Sequence, residues 1–304
     1  LHLPWFSRSC ASGLLSLLLG IPYFLLGAKH LWFTFHDTDP NVKDRFYGVP
    51  YTVLLFLLSA GCSLDLTLTV LRRLILPLEY NWKLFFREFC CALAAGFVAF
   101  WLMPLFFVPF HNAFHDQFGV SCSLCILAPI LIFAFAVWIS DRNPHKLSRP
   151  NSQNGYNQYW FDELCVLITI YFLFFMALVL IWDPATVSSS GLHEPIGPCD
   201  SYEKVGSILG DLIMKRRRYL CPTRFNKANF DFSCLPPSAS PKMRDGVPLE
   251  WYTICGTKVD NFIEYCFATW LFCIMGLATF FVAFAESGEL PKIAYKSFKK
   301  RKHE

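Results

Sequence analysis

Residues 164–182 read LCVLITIYFLFFMALVLIW, and residues 262–285 read FIEYCFATWLFCIMGLATFFVAFA. Each run is long enough to cross a hydrocarbon core of about 30 Å as a helix. Between them lie residues 184–261, which carry 10 of the 27 Lys and Arg residues, several prolines and four cysteines. No other segment between apolar runs is nearly long enough to fold outside a bilayer. The reading that follows is an all-α polytopic membrane protein with a cysteine-bearing loop domain held between its last two spans.

Composition agrees with this. Only 16% of the 304 residues are charged, 54% are hydrophobic, and Phe alone accounts for 32. Soluble domains carry about 25% charged residues. The net charge of +4 is small, and the basic clusters sit beside apolar runs, so no nucleic-acid partner is expected. Residues 13–28, GLLSLLLGIPYFLLGA after Arg8, have the outline of a signal peptide. They are read here as a retained first span.

Six spans are predicted, over residues 12–28, 50–71, 89–109, 119–140, 161–182 and 261–285. In hydrocarbon, backbone hydrogen bonds close only within a helix. Pro22, Pro104 and Pro129 fall inside spans and predict kinks. The domain organisation is therefore residues 1–183 for the first five spans, 184–260 for the loop domain, 261–285 for the sixth span and 286–304 for a basic tail.

Orientation is read from Lys and Arg in the short connections. Arg8, Arg72, Arg73, Lys83, Arg87, Arg142, Lys146 and Arg149 lie on one side with the six basic residues of the tail, fourteen in all. Only Lys29, Lys43 and Arg45 lie in the opposite short connections. Both termini are expected in the cytoplasm, in the plasma membrane or another membrane of the secretory pathway.

The loop cysteines Cys199, Cys221, Cys234 and Cys255 would then face an oxidising compartment. An even number in a small domain predicts two disulfides, with three pairings open. The bland alternative is a disordered loop with free thiols. Spacings of 22, 13 and 21 residues lack the close pairs of zinc sites. Cys122 and Cys125 form CSLC in an apolar context, where packing outweighs a redox role.

Other candidate residues are sparse. In FHNAFHDQFG, a helix would put His111 and His115 on one face with Asp116 adjacent, a possible metal-ion or pH-sensing set, weighed against ordinary loop residues. Asp65 is an intramembrane charge costing on the order of 2.5–3.5 kcal/mol near a helix centre. Arg72 lies seven residues on and is a candidate partner, as is a polar group on a neighbouring helix. Lys215, Arg216, Arg217 and Arg218, with Trp251, are candidates for binding a protein partner through the loop. Lys299, Lys300, Arg301 and Lys302 in the tail are expected to contact anionic inner-leaflet lipid.

These observations leave three function classes. The first is an accessory or structural subunit of a larger channel, transporter or receptor assembly, recognising a membrane-protein partner or a second copy through the loop. The second is a pore-forming six-span channel or transporter subunit, although no span carries regularly spaced arginines and EWYTICGTK is no selectivity filter. The third is a lipid-modifying membrane enzyme using His111 and His115. The scarcity of polar residues in the spans favours the first, and no cofactor is indicated.

Overall fold

The computed structural model describes residues 3–75, 82–141, 163–206, 213–236, 241–243 and 246–286. Among them are six helices long and apolar enough to cross a membrane. They are α1 (Trp5–Lys29), α2 (Tyr51–Ile75), a broken third span, α5 (Cys122–Asp141), α6 (Glu163–Ile181) and α7 (Phe262–Glu286). The third span runs as α3 (Phe85–Leu102), a short α4 (Pro104–Phe107) and a π-helix over Val108–Gln117. Pro104 supplies no backbone N–H and cannot continue α3, so the helix breaks at Met103. Pro22 and Pro129 lie within α1 and α5.

Helix α1 is the hub, packing on α2, α5, α6 and α7. Cys10, Leu17, Ile21, Leu25 and Leu26 of α1 are buried against Leu58 and Cys62 of α2, Phe133 of α5, and Phe172 and Phe175 of α6. Small residues set the α1–α2 distance, as in many membrane helix pairs. A Cβ on Gly61 would lie 2.5 Å from the Ser16 Cβ and 2.9 Å from the Ser12 carbonyl oxygen. Several polar groups inside the bundle are satisfied by backbone: Tyr171 donates to the Leu19 carbonyl (2.6 Å) and Thr67 to that of Ala95 (3.1 Å). Phe86, Phe97, Phe100 and Trp101 of α3 point away from the bundle, as lipid-facing side chains would.

The segment between α6 and α7 departs from an all-α fold. It forms antiparallel pairs of strands, β3 (Ser188–Ile196) with β6 (Leu249–Cys255), and β4 (Tyr202–Gly206) with β5 (Ile213–Arg217). The alternation of exposed and half-buried positions along β3 and β4 suits a half-buried strand rather than a helix. Disulfides join Cys199 to Cys221 and Cys234 to Cys255. Ile196, Leu220, Phe230, Tyr252 and Ile254 make the domain's small core, and Leu31 joins them from the α1–α2 connection. That connection also forms a hairpin of β1 (Arg45–Phe46) and β2 (Val49–Pro50). Its two turn residues, Tyr47 and Gly48, both have positive φ, the tight hairpin geometry in which glycine is favoured.

Candidate functional site

The disulfide-bearing domain is clamped onto the α1–α2 connection by charged groups. Arg216 of β5 donates from Nη1 to Asp39 Oδ2 (2.6 Å) and from Nε to Glu203 Oε1 (2.5 Å). The Arg217 amide donates to the Thr38 hydroxyl (2.9 Å), and the Asn226 amide to Asp37 (3.0 Å). At the next level inward, the Asp37 amide donates to Glu194 Oε2 (2.8 Å), while His36 Nε2 lies 3.3 Å from Oε1. Burial pushes the Glu194 carboxyl up to about 7, with the Asp37 charge adding to the rise. Burial and the nearby Arg216 charge hold His36 below the usual imidazole range. Lys29, at the end of α1, donates to the Ala228 carbonyl (3.0 Å) and ties the helix to the same domain.

This junction divides the basic run Lys215–Arg218. Arg216 is engaged internally, and Arg217 donates to the Arg224 carbonyl (2.6 Å). Arg218 lies over the Tyr219 ring, and Lys215 sits across from Lys204 on the β4–β5 pair. Trp251 is 65% exposed and faces Leu192, 72% exposed, across the β3–β6 pair. The two make an apolar patch on the outer side of the domain.

A second cluster lies at the same end of the bundle, where the π-helix meets α5. His111 is buried with no hydrogen bond to either ring nitrogen, its Nδ1 being 3.9 Å from the Asp116 carboxylate. Phe107 stacks on the His111 ring, and the His115 ring follows at 5.2 Å. Asp116 is also buried and accepts from Asn112 Nδ2 (3.1 Å). The sulfur of Cys122, at the start of α5, comes within 4.8 Å of donor nitrogens on both histidines. Asp44 of the α1–α2 connection lies close enough to act electrostatically on both Cys122 and His111.

The opposite end holds the intramembrane charge. Asp65 Oδ2 accepts from the Ser9 hydroxyl (2.8 Å) and lies 3.3 Å from Arg8 Nε, both on α1. Arg8 also donates to the Thr69 hydroxyl. Arg72 is not the partner of Asp65: it turns towards α3 and pairs with Glu88 (3.3 Å). Seven residues keep Arg72 on the same face as Asp65 but about 10.5 Å further along the axis, and Arg8 of α1 takes the place beside the carboxylate instead. Lys299, Lys300, Arg301 and Lys302 lie outside the described residues.

A family model described as a domain of unknown function, DUF7802, matches residues 1–285. The chain belongs to this family. No curated protein and no solved structure matches it. The DUF7802 match takes in the bundle and the strand-containing domain together and stops before the basic tail. Sequence reading of this DUF7802 chain missed Arg8, Asp44, Cys122 and Glu194 as members of these clusters. Only Cys122 carried a signal, as part of CSLC; the others become visible once α1, α2 and the strand pairs are placed together.

Proposed function

We propose that this chain is an accessory or structural subunit of a larger membrane complex, with both termini in the cytoplasm, and that its extracytoplasmic domain recognises a membrane-protein partner. The observation that carries the reading is the Leu192–Trp251 patch. Two large apolar side chains stand out on a domain whose position is fixed by two disulfides and the Arg216–Asp39 pair. Aromatic anchors on preorganised surfaces are the usual centres of protein interfaces, because little ordering entropy is lost on binding. The bundle itself offers less: Leu17, Ile21, Leu25 and Leu26 of α1 fill its middle, so a pore within one copy would have to displace the hub helix. The basic excess of the N-terminus, the α2–α3 and α5–α6 connections and the tail supports the orientation.

The double variant Leu192→Ser, Trp251→Ser tests this. In native membranes it should migrate at a smaller assembly mass than the wild type, while chain level and both disulfides persist. An unchanged assembly mass would remove the patch as the recognition surface.

A further inference from the structure

We propose that His111, His115 and Cys122 bind a zinc-class divalent ion, with Asp116 positioning His111. Their donor atoms lie within 4.8 Å of one another. A tetrahedral zinc site with bonds of about 2.0–2.3 Å needs donors about 3.5 Å apart, so small side-chain adjustments close the set.

Three features point to a ligand rather than a packed interior. First, His111 is 2% exposed, yet neither ring nitrogen has a hydrogen bond. A buried polar group left so costs about 1–3 kcal/mol, and Phe107 on one ring face leaves the nitrogens no compensation. Second, His115 Nδ1 lies 2.8 Å from the Val120 carbonyl. That carbonyl only accepts, so Nδ1 carries the proton and Nε2 holds a free lone pair, the orienting contact that metal-bound histidines commonly show. Third, the backbone serves this arrangement. The π-helix Val108–Gln117 is followed at Gly119 by a φ of +67°, which turns the chain so that Val120 meets His115 and α5 starts at Cys122. π-helical turns are rare and gather at functional sites.

Two nitrogens and one sulfur select zinc-like ions over calcium or magnesium, which prefer oxygen. On binding, the Cys122 S–H bond breaks, a sulfur–metal bond forms, and the proton leaves to solvent. One proton is released per ion. Asp116, 3.9 Å from His111 Nδ1, is beyond hydrogen-bond distance, and the adjustment that turns Nε2 to the ion brings that nitrogen within reach of it. The fourth position is then open to water or to Asp44.

Cobalt(II) is the probe, added to the detergent-purified full chain kept reduced outside its disulfides. The wild type should take up about one equivalent with a tetrahedral visible spectrum and a thiolate-to-cobalt charge-transfer band. Cys122→Ser should lose the charge-transfer band, and Cys125→Ser should keep it. Asp116→Asn should keep the band but weaken affinity by roughly 10–100-fold. Absence of the band in the wild type at saturating cobalt overturns the proposal whether or not any variant folds. So does a band that survives Cys122→Ser.

Discussion

At Glu194 a carboxylate is held under the domain junction, facing His36, Asp37, Arg45 and Arg216. Its folded value of about 7 lies above the unfolded value of about 4.3. The folded chain thus holds the proton more tightly, and the stability this contributes is full below the unfolded value and lost as pH rises through about 7. Glu194→Gln keeps the shape and removes the titration. Its melting temperature should therefore gain on that of the wild type between about pH 5 and about pH 8; a gap independent of pH would refute the assignment. His36, shifted the opposite way, is common to both proteins and leaves the sign of the difference unchanged. At Asp65 the relevant loss is of contacts. Asp65→Ala removes the carboxylate from Arg8 and Ser9, which keep only Thr69 and the Trp5 carbonyl, and should cost on the order of 1–2 kcal/mol in thermal unfolding. Asp65→Asn should recover part of it, because an amide oxygen still accepts from Ser9. Equal melting of both variants and the wild type would show that the pair contributes nothing.

Among the elements, two glycines with the same helical setting make opposite demands. Gly61 of α2 has the Ser12 carbonyl 2.9 Å from a would-be Cβ, whereas Gly96 of α3 has nothing within 4 Å. Gly61→Ala should cost about 1–3 kcal/mol by prying α1 from α2. Gly96→Ala should stabilise by roughly 0.5–1 kcal/mol through helix propensity alone. Melting in the same detergent checks both, and a destabilised Gly96→Ala would mean that α3 has a close neighbour. The spans themselves were legible because apolar runs of this length have few other readings. The expected 50–71 appears as Tyr51–Ile75 and the expected 261–285 as Phe262–Glu286. The strand pairs of the loop domain were not legible, since β4 and β5 are five residues each and β3 and β6 pair across more than fifty residues of chain. Likewise, i, i+4 spacing drew His111 to His115, but the approach of Cys122 depends on the turn at Gly119.

Across the whole molecule, the polar clusters separate by end. Arg8–Asp65, Arg72–Glu88 and the Ser7–Ser140 hydroxyl contact mark one end of the bundle. The disulfides, the Arg216 junction and the His111–Cys122 group share the other. The core that Leu31 shares with residues 196–254 imposes an order on biosynthesis. The α1–α2 connection leaves the ribosome 157 to 189 residues before its hydrogen-bonding partners Glu194, Arg216 and Asn226. Until the last long connection has been made and its disulfides formed, Leu31 has no core to enter, and Asp37 and Asp39 await Asn226 and Arg216. Folding on that face thus cannot advance span by span; it closes late, as a clasp between the first connection and the last. A chain halted after α6 would present an unfilled apolar residue and two unanswered carboxylates, because Ile196–Ile254, Arg216 and Asn226 all follow that helix; the later segment is what hides them.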